Sequence, residues 1–89
     1  YKKNMLLNLM LSKQKLIKLI SNSLKISEDE ISFDSKINHI EEWDSLGHIT
    51  IMFAIDKATK GKASKIVKLN DSNGIEAIYK LLKKNNLAE

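Results

Sequence analysis

Side chains able to act as acid, nucleophile and base crowd into one stretch, Glu41-Glu42-Trp43-Asp44-Ser45-Leu46-Gly47-His48. A hydroxyl follows a carboxylate there, and an imidazole stands three positions further on. Serine hydrolysis would require the hydroxyl to be activated by a histidine that a separate acid orients. The chain has no G-x-S-x-G elbow, and one helical turn between Ser45 and His48 does not by itself make a triad. Asp44 and Ser45 have a second use, because either can cap the first turn of a helix by accepting a bond from an exposed amide. Cap and site of chemistry therefore compete for the same two residues. The other histidine, His39, stands apart and there is no cysteine, so no zinc site is expected.

The elements that would position Ser45 read as helices. In 12–24, Leu16, Ile17, Leu19, Ile20 and Leu24 share one arc, with Lys13 as the one misplaced charge. In 45–60, Leu46, Ile49, Met52, Phe53 and Ile55 cover more than one face, so this helix packs on several neighbours or leaves surface for a partner. A short helix is expected at 64–69. A longer one over 72–84 aligns Ile75, Ile78, Tyr79 and Leu82 and ends on Lys83 and Lys84, where the helix dipole favours cations. Gly61 stops the second helix and Gly74 weakens the start of the last. No stretch alternates as a strand would. The expected fold is all-α, a small four-helix bundle of three longer helices and one short one, with a long first loop.

That loop, 25–44, carries a capping box at Ser27–Glu30 and the apolar anchors Ile31, Phe33, Ile37, Ile40 and Trp43. Such anchoring fixes the place of Ser45. Residues 12–84 are expected to form the domain and 85–89 a C-terminal tail. Residues 1–11 read as an extension, either continuing the first helix or foreign to the chain. Its apolar run is broken by Asn8 and is too short to span a bilayer, so neither a signal peptide nor membrane insertion is expected.

Composition narrows the function classes. At 89 residues the chain is one domain, small for a substrate pocket with full catalytic machinery, and 43% hydrophobic with 29% charged residues is a globular composition. The absence of cysteine is consistent with a reducing cytoplasm. The net charge of +4 comes entirely from lysine, without one arginine, which disfavours base readout. It is also segregated: residues 26–56 hold eight acids and one lysine, whereas 57–68 holds five lysines and no acid. A nucleic-acid or membrane-surface binder using Lys57, Lys60, Lys62, Lys65 and Lys68 is the less favoured reading, because such lysines usually form a solvated face.

Taken together, "WDSLGHITIMFAID", the long loop "KISEDEISFDSKINHIEEWDSL" and the ending "SKIVKLNDSNGIEAIYKLL" resemble the acyl carrier proteins over most of the chain, 12–82. The resemblance implies a carrier without catalytic activity of its own. Ser45 would hold a 4′-phosphopantetheine arm, transferred from coenzyme A by a phosphopantetheinyl transferase. Asp44 would help bind the transferase's magnesium, and Leu46 would dock against that enzyme. Ile49, Met52, Phe53 and Ile55 would contact the acyl chain or partners, with core packing the favoured role for Ile49, Phe53 and Ile55 and an equal alternative for Leu46. The implied partners are acyl-loading and acyl-transfer enzymes, and the implied state is a cytoplasmic monomer serving fatty-acid or related lipid biosynthesis. Gly47, Thr50 and Lys57 depart from the acids common in that family, which points to a dedicated pathway. Its partners would read Ile51, Met52 and Ile55 rather than a carboxylate stripe, with weak salt dependence. A peptidyl or aminoacyl carrier, or an unmodified helical interaction domain, are the alternatives.

Overall fold

A computed structural model describes residues 10–89; expectations for residues 1–9 lie outside the described residues. The order is α1 (Lys13–Leu24), a 3₁₀ turn (Glu28–Glu30), α2 (Ser45–Ala58), two 3₁₀ turns (Ala63–Lys65 and Val67–Asp71) and α3 (Ile75–Lys84). The described residues are mostly helical and contain no strand, only two isolated bridges. Where the sequence suggested a short α-helix, the backbone takes the two 3₁₀ turns. No described helix is long and apolar enough to cross a membrane.

Helix α1 starts at Lys13 because Ser12 is extended and its hydroxyl accepts the Lys15 amide at 3.1 Å. Residue 11 does not continue the helix. It lies in a parallel bridge with Ala88, the Leu11 amide donating to the Leu87 carbonyl at 2.9 Å. Leu87 and Ala88 are consequently buried with Leu11, and 85–89, expected as a tail, contributes to the core. The domain boundaries drawn at 12 and 84 thus leave out packed residues at both ends.

The core is built from Leu16, Ile20 and Leu24 of α1, Ile51 and Ile55 of α2, and Ile75, Ile78 and Leu82 of α3, with Trp43 from the loop. Among the described residues Lys13 forms no salt bridge. Its ammonium lies 4.8 Å from the centre of the Phe33 ring and 5.5 Å from that of Tyr79. Those rings meet edge to face at 5.5 Å. An apolar-side lysine is accommodated because an aromatic face attracts a cation.

The long loop is tied at both ends. Its 3₁₀ turn has both halves of the capping box, with the Glu30 carboxylate accepting the Ser27 amide at 2.9 Å. Further on, the Ile37 amide donates to Asn73 and the Ile75 amide to Ser35, joining the loop to the start of α3. Ile31 is buried, and Phe33, Ile37 and Ile40 are partly buried against the core. Ser72 is buried, and its hydroxyl is satisfied by the Leu69 carbonyl at 2.5 Å.

Candidate functional site

The start of α2 resolves the competition between its two polar residues. Asp44 is the N-cap: its backbone is extended and its Oδ1 accepts the Gly47 amide at 2.8 Å. Ser45 is the first helical residue and is exposed. Its hydroxyl is left without a capping duty, beside first-turn amides that have no intrahelical carbonyl to bond.

Three contacts fix this helix start. Trp43, immediately before the cap, is fully buried. Its indole N–H donates to His48 Nδ1 at 3.1 Å, and His48 Nε2 lies 3.1 Å from the Asn70 carbonyl. An indole N–H can only donate, so Nδ1 is the acceptor and the imidazole carries its proton on Nε2, donating to Asn70. His48 is therefore a buried strut between loop, helix and 3₁₀ segment, and both its nitrogens are occupied. Gly47 provides the third contact: a Cβ at this position would stand 2.3 Å from the Glu42 carbonyl oxygen and 2.9 Å from Leu24 Cδ2. The backbone passes too close for any larger residue.

Beyond Ser45 the helix presents two faces. Ile51 and Ile55 point inward and are fully buried. Leu46, Ile49 and Phe53 point outward, 72%, 58% and 75% exposed. This alters the reading of the apolar residues. Ile55, expected at an acyl or partner contact, belongs to the core, and so does Ile51. Core packing is excluded for Leu46, Ile49 and Phe53 by their exposure.

Ile49, Met52, Phe53 and Asp56 form one wall of an open cleft of about 410 Å³, and Ala63, Ser64, Ile66, Leu69 and Asn70 form the other. His48 reaches it from the helix start. The far end is held where the Ser64 amide donates to Asp56 Oδ1 at 3.1 Å. Of the apolar residues named from the sequence for an acyl or partner contact, Ile49, Met52 and Phe53 line this cleft and Ile55 does not. The places of His48, Asp56, Asn70 and the 3₁₀ wall along it depend on backbone groups and on packing across the chain, which spacing does not carry. Among the described residues no group of three or more His, Cys, Asp or Glu side chains is placed to hold a metal.

Compared with known proteins, the chain matches no family model, and no curated protein or solved structure matches it significantly.

Proposed function

We propose that this protein is a carrier that holds acyl groups as thioesters on a 4′-phosphopantetheine arm joined to Ser45. The observation that supports it best is the exposed hydroxyl at the first residue of α2, with the cap already supplied by Asp44. A phosphodiester at this position would meet unbonded amides and the positive end of the helix dipole. The residues fit the group in a second way: the apolar cleft opens along the same helix, within one turn of Ser45 at Ile49. When bound, the arm supplies the thiol that this cysteine-free chain lacks. In this reading the two 3₁₀ turns take the place of a short helix in a four-helix bundle.

Asp44 would then serve both as the cap and as a ligand for the transferase's magnesium, and Leu46 as a docking side chain for that enzyme. Ile49, Met52 and Phe53 would line the path of the acyl chain. The cleft's apolar walls favour an acyl cargo over an aminoacyl one. The chemistry of loading and transfer would belong to partner enzymes, in a cytoplasmic lipid pathway.

Incubation with coenzyme A, magnesium and a promiscuous phosphopantetheinyl transferase, followed by intact-mass measurement, tests the reading. Wild type should gain the mass of one phosphopantetheine and Ser45→Ala none. Unchanged wild type, or an equal gain on Ser45→Ala, removes the carrier reading and leaves an unmodified interaction domain.

A further inference from the structure

We propose that the outward face of α2 is a self-complementary docking surface on which a second copy of this chain seats antiparallel. Leu46, Ile49 and Phe53 lie one turn apart on the side opposite the buried Ile51 and Ile55. Thr50 is exposed between them, and its hydroxyl is taken up by the Leu46 carbonyl at 3.1 Å, which leaves its methyl group available for contact. Helix α2 carries opposite charge at its two ends. Glu41, Glu42 and Asp44 are exposed before the helix, and Lys57, Lys60 and Lys62 are exposed at and beyond its last turn. Among the described residues the one ion pair joins Lys80 to Glu76, away from both groups.

Such a surface fits itself under a two-fold axis, because an isologous contact brings each residue against its counterpart across the axis. Leu46 and Phe53 are centred between Ile49 and Thr50. Along the helix axis Asp44 and Lys57 are centred within about a residue, or about 1.5 Å, of the same point, although at about 100° per residue Lys57 lies on the strip and Asp44 on the side of Ile51. An antiparallel copy then sets Leu46 near the other Phe53, Ile49 near the axis and each acidic end beside a basic end. Antiparallel helix dipoles reinforce the arrangement. An anionic lipid surface would attract one end and repel the other. Three apolar side chains fall well short of the about 800 Å² per partner of a standard stable interface, so the pairing is reversible and favoured at high concentration. It does not depend on Ser45 modification.

Sedimentation velocity on the full chain, from micromolar to millimolar concentration at low salt, tests the proposal. The wild type and Ser45→Ala should shift alike from one chain toward two. Phe53→Asp, at an exposed position, should weaken pairing about ten-fold or more. Glu41→Lys/Glu42→Lys and Lys57→Glu/Lys60→Glu should each self-associate less than wild type, while their equimolar mixture regains association because opposite ends again meet. Wild type that remains a single chain throughout, Phe53→Asp that pairs like wild type, or a mixture that regains nothing overturns the proposal. Single chains that co-sediment with phosphatidylglycerol vesicles would assign the face to lipid and overturn it as well. Failure here with mass gain on Ser45 leaves the carrier reading intact, and the reverse result leaves the pairing intact.

Discussion

Gly47 shows how much one residue decides at the start of α2. By helix propensity alone, alanine would be better there by up to about 1 kcal/mol. The added Cβ would meet the Glu42 backbone oxygen at 2.3 Å, and a carbonyl cannot swing aside as a flexible side chain can. Overpacking of this kind costs about 1–3 kcal/mol, so it outweighs the propensity gain. Gly47→Ala should therefore lower the unfolding free energy in urea, against the usual direction for a helical glycine. A more stable variant would mean that the loop is free to move away from the helix. His48 is a comparable case, since its three-residue spacing from Ser45 suggested chemistry and its buried bonds to Trp43 and Asn70 give it a structural task.

At the scale of elements, periodicity identified what a long pattern can define and failed where patterns are short or saturated. Helices α1 and α3 each carry a single apolar arc, and both were legible, along with the capping box at Ser27. Helix α2 is apolar on several sides, so spacing could not tell the inward Ile51 and Ile55 from the outward Ile49 and Phe53. Measurement separates them: Ile51→Ala should cost about 2–5 kcal/mol through the cavity it leaves. Phe53→Ala should change stability by no more than about 0.5 kcal/mol, as exposed substitutions usually do. Equal losses in a urea titration would contradict the two-faced helix. Over 64–69, six residues with Ile66, Val67 and Leu69 cannot distinguish three residues per turn from 3.6, and the chain adopts 3₁₀ geometry there. The start of α2 at Asp44-Ser45 was legible because helix starts depend on adjacent residues, but which of the two is the cap was not. The opposing cleft wall was not, because it forms only when 63–70 folds back on α2.

Closure of the whole molecule depends on a contact that no local pattern announces. Leu87 and Ala88 follow Lys83, Lys84, Asn85 and Asn86, a polar run that reads as the end of order. Instead Asn86 adopts a left-handed backbone, with φ at 61°, and the chain turns back so that the Leu87 amide reaches the Leu82 carbonyl at 2.7 Å. Leu87 is buried in the same cluster as Leu11, and the Glu89 amide donates to the Leu11 carbonyl at 3.0 Å while the Tyr79 hydroxyl donates to the Glu89 carbonyl. Segments from either side of α1 and α3 are thereby joined over the base of the core. A frayed tail would tolerate Leu87→Ala with a change of no more than about 0.5 kcal/mol. A packed closure should lose about 2–5 kcal/mol, the cost of a buried leucine truncation. Because Leu11 and Leu87 are buried in one cluster, the Leu11→Ala/Leu87→Ala double variant should lose less than the two single losses added together, by at least about 0.5 kcal/mol. Strict additivity in that cycle would show that the two side chains stabilise the fold separately and that only the backbone bridge joins the two ends.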